Sequence, residues 1–183
     1  MIMDNASQKA RINEVRWHGR GGQGAVTAAQ ILAEAAYLQG YRGVTAAPSF
    51  GAERRGAPVS ALTRFSLDPI RIYSQVVNPD VVVVLDHSLL KDEQVTSGLN
   101  EEGRLVVNTW LSPEELGLDG RFNVVTADAT NVCRELGIMM GGSIIVNTAI
   151  LGAFVLATKA VELWSVEKVI RNRFSDGAST QNI

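Results

Sequence analysis

Trp17-His18-Gly19-Arg20-Gly21-Gly22-Gln23-Gly24 joins an apolar-alternating run to a long helical pattern that begins at Ala25. This junction decides the fold, because it reads as the strand, loop and helix of an α/β unit. Glycines open backbone angles closed to other residues and let a ligand approach the main chain. The N–H groups that start the following helix have no partners within it and sit at the positive end of its dipole, where an anion is stabilised. Gly19, Gly21 and Gly24 also satisfy G-x-G-x-x-G. The dinucleotide fingerprint needs, in addition, an acidic residue about 20 positions on to hold a ribose. That region reads Val44-Thr45-Ala46-Ala47-Pro48-Ser49, without a carboxylate. Gly19, Arg20, Gly21, Gly22, Gln23 and Gly24 are therefore read as a phosphate cradle in preference to an NAD site. The plainer alternative is a tight turn that only packs the helix on the sheet.

Working outward, residues 11–18 form the first strand. Residues 25–38 place Val26, Ala29, Ile31, Leu32, Ala35 and Leu38 at helical spacing, closed by Gly40. A short strand at 43–47 runs into 48–58, an exposed loop rich in proline and glycine that carries Arg54 and Arg55. Residues 59–65 alternate as a strand, with 70–73 as a candidate hairpin partner. Asp80-Val81-Val82-Val83-Val84-Leu85-Asp86 is a β-branched run of the kind buried on both faces of a parallel sheet. Similar runs recur at 105–107 and 124–125, which is βαβ spacing. Helices are predicted from Ser88 to about 98, from Ser112, and over 128–136, 147–158 and 165–174. The expected architecture is α/β: a single three-layer α/β/α domain over 1–183, with a mostly parallel, Rossmann-like sheet. Residues 1–11 are read as an N-terminal extension.

The chain has 183 residues, 46% hydrophobic and 20% charged, enough for one packed core. A net charge of −2 gives no bulk attraction to nucleic acid. Its distribution is uneven: residues 1–71 hold nine Lys/Arg against five Asp/Glu, while 72–121 hold three against nine. Positive potential thus gathers around the glycine loop. One cysteine, Cys133, and two histidines, His18 and His87, leave little for a protein-built metal site. The polar N-terminus lacks the apolar core of a signal peptide, and the apolar stretch 144–155 is too short to cross a bilayer. A cytoplasmic protein without membrane attachment is expected, with 144–155 the best candidate for part of an exposed contact face, the rest of that stretch being core.

The residues that bear chemistry point to binding more than to catalysis. Arg54 and Arg55 are flanked by glycines, where packing does not require them, and guanidinium suits phosphate. If the second strand runs parallel to the first, the arginine loop and the glycine loop leave one edge of the sheet and converge on one anion. The alternative is two solvated arginines with Glu53 nearby. Asp86-His87 follows the central strand and reads as a cap or turn before it reads as an acid–base pair. His18 lines the cleft or is bonded to structure. Cys133 has no neighbouring cation to lower its pKa and reads as a small buried hydrophobe.

Four motifs in order resemble one family: Trp17 to Gly24, then Ser49-Phe50-Gly51-Ala52-Glu53-Arg54-Arg55-Gly56-Ala57-Pro58-Val59, then Asn78-Pro79-Asp80 before the valine strand, then Asn147-Thr148-Ala149-Ile150-Leu151-Gly152-Ala153. From about residue 14 to the C-terminus the chain resembles the gamma subunits of the 2-oxoacid:ferredoxin oxidoreductases, the pyruvate:ferredoxin oxidoreductase (pyruvate synthase) branch in particular. The resemblance implies a complex that oxidatively decarboxylates a 2-oxoacid onto coenzyme A and passes electrons through iron–sulfur clusters to ferredoxin. Thiamine diphosphate with its magnesium, and the clusters, would lie on alpha, beta and delta subunits. The gamma subunit would contribute to the coenzyme A site and carry no catalytic residue. The small subunit of indolepyruvate:ferredoxin oxidoreductase shares the glycine loop, the segment from Phe50 to Gly56 favours the pyruvate branch, and 2-ketoisovalerate and 2-oxoglutarate enzymes are the alternatives; relatives are expected to continue into a short final helix where this sequence stops. A free-standing nucleotide-binding module is the reading from a different class.

Overall fold

The computed structural model describes residues 13–49, 56–71, 74–118, 120–174 and 182–183. Arg54 and Arg55, the N-terminal extension and part of the anticipated strand at 70–73 lie outside them. Six strands form one sheet: β1 (Asn13–Arg20), β2 (Gly43–Ser49), β3 (Pro58–Ser66), β4 (Val81–Val84), β5 (Arg104–Asn108) and β6 (Asn123–Ala127), in the order β2-β3-β1-β4-β5-β6. β1, β4, β5 and β6 pair in parallel. β3 is antiparallel to both its neighbours, so β2 and β1 point the same way with β3 between them. This corrects the expected hairpin: the partners of β3 are β2 and β1, and Ile70 and Arg71 are in no strand.

Alternation along β1 divides the molecule. Val15 and Trp17 face one side, where α1 (Ala25–Leu38) packs on β1, β2 and β3 through Ala28, Ala29, Ile31 and Leu32. Three more helices complete that layer: α2 (Ala129–Glu135), α3 (Asn147–Thr158) and α4 (Leu163–Arg173). Trp17 is its centre. The ring lies 5.7 Å from that of Phe154, and its N–H donates to Thr63 Oγ1 (3.0 Å), which itself donates to the Ala29 carbonyl (2.9 Å). A buried indole is thereby satisfied without a water.

On the opposite face Val82, Val84, Leu105 and Val107 meet Leu89, Val95 and Leu99. The expected helix over 88–98 is instead two 3₁₀ turns, His87–Lys91 and Glu93–Val95. The cause is local: the carboxylates of Asp86 and Asp92 accept from the N–H groups of Ser88 and Gln94 (3.0 Å each), so the chain is capped and restarted after one turn. Over β1 and β3 this face is polar. Arg64, 2% exposed, donates to Glu14 (2.6 Å) across the strands.

Part of residues 144–155 is core, since Ile150, Leu151 and Phe154 of α3 are fully buried, while Ile144, Ile145, Ala149, Gly152, Ala153 and Val155 are half-buried. Exposed apolar side chains include Val132 and Leu136 of α2, Leu156, Trp110, Met139 and Met140, besides Tyr37, Leu67, Val77 and Trp164. The two methionines belong to a small hairpin, β7 (Met139–Met140) and β8 (Ser143–Ile144), whose two-residue turn has positive φ at both Gly141 (55°) and Gly142 (79°). That is the geometry a tight hairpin asks of glycine. Among the described residues no helix is long and apolar enough to cross a membrane.

Candidate functional site

The chain reverses its direction of travel across the sheet between β1 and β4, and in open α/β sheets the crevice outside such strand ends is where ligands bind. The glycine loop leaves β1 at this point. Gly24 ends it in the left-handed region (φ 89°) as the N-cap of α1, with no side chain capping the helix and no acidic residue in its first turn. A Cβ on Gly24 would stand 2.7 Å from Asn147 Nδ2, so the loop and the start of α3 touch where only glycine fits. Gly22 (φ 97°) has open space where its Cβ would be. A cleft of about 740 Å³ opens here, with Gly21, Gly22 and Gly24 on one wall and Met139, Met140 and Phe174 on another. Its lining is mostly apolar apart from the loop.

The side chains of the loop have structural partners. Gln23 Oε1 accepts from the N–H of Arg20 (2.7 Å) and closes the turn. Arg20 donates to Asp86 (2.8 Å), Ser88 Oγ (2.9 Å) and the Gly56 carbonyl (3.2 Å), and so ties the ends of β1 and β4 together across the crevice. Burial pushes the Asp86 carboxyl up, but hydrogen bonds from Ser88 and Arg20 outweigh it and hold the group below the usual carboxylate range. Asp86 is therefore an anionic strut, as the capping reading anticipated. His87 turns away to meet the edge of the Trp110 ring (4.9 Å).

β2 ends on the same edge as β1, and the far end of the arginine-bearing loop is bonded to the glycine loop by Gly21 N–H to the Ala57 carbonyl (2.8 Å) and Gly56 N–H to the Gly21 carbonyl (3.1 Å). The interposed β3 also occupies the place beside β1 from which a second strand would offer a ribose-binding carboxylate, in keeping with the reading against NAD.

A second cleft of about 600 Å³ lies on the other face of the sheet, with Arg16, His18 and Ser60 among its walls. Arg16 is occupied by the carbonyls of Val95 (3.0 Å) and Ser97 (2.5 Å) and donates to His18 Nε2 (3.0 Å). Burial, reinforced by the Arg16 charge and opposed by Asp92, takes the His18 pKa down to about 4. His18 is thus neutral and bonded to structure. Cys133 is buried and its pKa is raised by that burial. The hairpin methionines, Asn147, Phe174 and Asn182 complete the first cleft and went unread as site residues. The Gly141-Gly142 pair is the sequence signal from which the hairpin could have been read.

The family described as pyruvate ferredoxin/flavodoxin oxidoreductase matches residues 14–183. The pyruvate/ketoisovalerate oxidoreductases common subunit gamma of Pyrococcus furiosus is 51% identical, over 92% of this chain and 90% of its own. The pyruvate synthase subunit PorC of Methanosarcina barkeri is 47% identical, over 87% and 85%. Among solved structures, the pyruvate oxidoreductase subunit PORC of Thermotoga maritima superposes with a TM-score of 0.79 at 39% identity, covering 94% of this chain and 91% of that one. The 2-oxoglutarate:ferredoxin oxidoreductase of Magnetococcus marinus shares the fold alone, with a TM-score of 0.69 at 15% identity over 94% of this chain and 29% of that one. The chain belongs to the pyruvate ferredoxin/flavodoxin oxidoreductase family, as a gamma-type (PorC) subunit of a 2-oxoacid:ferredoxin oxidoreductase.

Proposed function

We propose that this chain helps hold coenzyme A in a cytoplasmic complex that oxidises pyruvate, and that it supplies no group to the bond-breaking steps. The observation that carries the reading is the uncapped start of α1, which opens with Gly21, Gly22 and Gly24 onto an apolar-walled cleft of about 740 Å³. Coenzyme A combines phosphates with an adenine ring and a long, weakly polar arm, and this cleft combines backbone donors with methionine and phenylalanine walls. Gly19, Arg20 and Gln23 shape the loop, Gly21, Gly22 and Gly24 let phosphate oxygens approach, and Arg54 and Arg55 add charge from the adjoining loop. The Magnetococcus marinus enzyme was solved with coenzyme A and succinyl-CoA bound. At that distance the likeness carries only the fold, and the assignment rests on the chemistry of the cleft.

Thiamine diphosphate with its magnesium, and the iron–sulfur clusters, belong in this reading to alpha, beta and delta subunits, with ferredoxin as acceptor. Pyruvate leads 2-ketoisovalerate because both occur in the names of the relatives and pyruvate in more of them. 2-Oxoglutarate and indolepyruvate follow. The test is steady-state kinetics of the assembled complex carrying Arg54→Ala and Arg55→Ala. A KM for coenzyme A raised about 10- to 100-fold with the 2-oxoacid KM unchanged is expected from lost charge-assisted bonds at a partly exposed site. Unchanged coenzyme A kinetics in a normally assembled complex would remove the arginines from the site.

A further inference from the structure

The second cleft, of about 600 Å³ on the polar face of the sheet, lies outside the proposed coenzyme A site. Ser49, Ser60 and His18 all line it, and they stand in register on three adjacent strands: Ser49 opposite Ser60 across β2 and β3, and Ser60 opposite His18 across β3 and β1. Opposed residues on one face have Cβ atoms about 5 Å apart, so the three side chains form a row. His18 can only donate to whatever enters. Its Nε2 accepts from Arg16 Nε (3.0 Å), and the neutral ring therefore carries its proton on Nδ1. That N–H and the hydroxyls of Ser49 and Ser60, all half-buried residues, make no hydrogen bond to another described residue. A nucleophilic role is closed to the serines, since the one nitrogen that could take their proton is filled by Arg16.

Charge favours an acceptor that is also an anion. Arg16 and Asp92 bring one charge of each sign to the walls, Arg16 held by the carbonyls of Val95 and Ser97 and Asp92 by the N–H of Gln94. Lys91, in the same wall, forms no ion pair among the described residues and leaves the cleft net positive. We propose that this cleft binds a terminal phosphate, with His18 Nδ1 and the hydroxyls of Ser49 and Ser60 donating to its oxygens and Lys91 balancing its charge. A row of donors with a cation beside it suits three free oxygens better than the two coplanar ones of a carboxylate. Two sources share that chemistry, the 3′-phosphate of coenzyme A and free inorganic phosphate. The first rests on the coenzyme A reading and extends it: Val59 lines both clefts, and Arg20 in the wall of one bonds to Ser88 in the wall of the other, so the two adjoin. The second source is independent of that reading.

The double variant Ser49→Ala, Ser60→Ala tests this, because neither hydroxyl holds the fold and the melting temperature should match that of the parent. Inorganic phosphate should bind the full parent chain and shift the imidazole nitrogen resonances of His18, and its binding should weaken roughly 10- to 100-fold in the variant. In the assembled complex the parent should have a lower KM for coenzyme A than for 3′-dephospho-coenzyme A, and the variant should lose that preference through a rise in the first value alone. If phosphate binding falls in the variant while the preference for coenzyme A is unchanged, the site stands and its ligand is free phosphate. The terminal-phosphate site is wrong if the parent chain binds no phosphate, if the variant binds it as the parent does, or if acetate displaces it at equal concentration. None of those three results touches the coenzyme A reading, which the arginine variants decide.

Discussion

At the residue scale, the glycine loop depends on Gly24, where a side chain has no room. Gly24→Ala would combine a left-handed backbone with a Cβ driven against Asn147, and a loss of about 2–4 kcal/mol is expected from the denaturant midpoint. His18 makes a second prediction, through pH. Its pKa falls from an unfolded value near 6.5 to about 4 in the folded chain, so the unfolded state binds the additional proton between those limits. Stability is unaffected above pH 6.5, declines as the pH falls from 6.5 toward 4, and has lost on the order of 2–3 kcal/mol by the lower limit. His18→Gln, which keeps an acceptor for Arg16, should flatten that part of the stability curve, and an unchanged slope would show that the histidine is not its source. Losses through Asp86, whose pKa is depressed below 3.8, belong to a lower window.

At the scale of elements, much was legible because local and tertiary signals agreed. Residues 25–38 are α1 as read, and Val81 to Val84 form the buried parallel strand that their side chains require. The run after Ser88 misled because Leu89, Val95 and Leu99 have enough apolar spacing for a helix, whereas Asp86 caps the start of one 3₁₀ turn and Asp92 ends it and caps the start of the next. The insertion of β3 between β2 and β1 had no local signature, since it depends on which edge a hairpin docks against. Within the site, the loop was readable as a glycine pattern, but the meeting of α1 with α3 joins residues more than 120 positions apart and is visible only in the fold. The buried Arg64–Glu14 pair was equally hidden, and it carries a prediction: Glu14→Ala leaves an uncompensated guanidinium under the sheet and should cost about 3 kcal/mol or more by chemical denaturation.

At the scale of the whole molecule, the exposed apolar side chains on α2, at Leu156 and at the methionine hairpin suit a chain that functions among partners. The chain purified alone is expected to be colourless and unable to transfer electrons from a 2-oxoacid, and activity in that preparation would contradict its role as one subunit of several. The central claim is that coenzyme A is held where α1 begins, and amide hydrogen exchange of the assembled complex tests it most directly. Coenzyme A should slow exchange in the glycine loop, in the first turns of α1 and α3 and in the methionine hairpin, and pyruvate alone should not. Equal exchange at these segments with and without saturating coenzyme A would contradict the account.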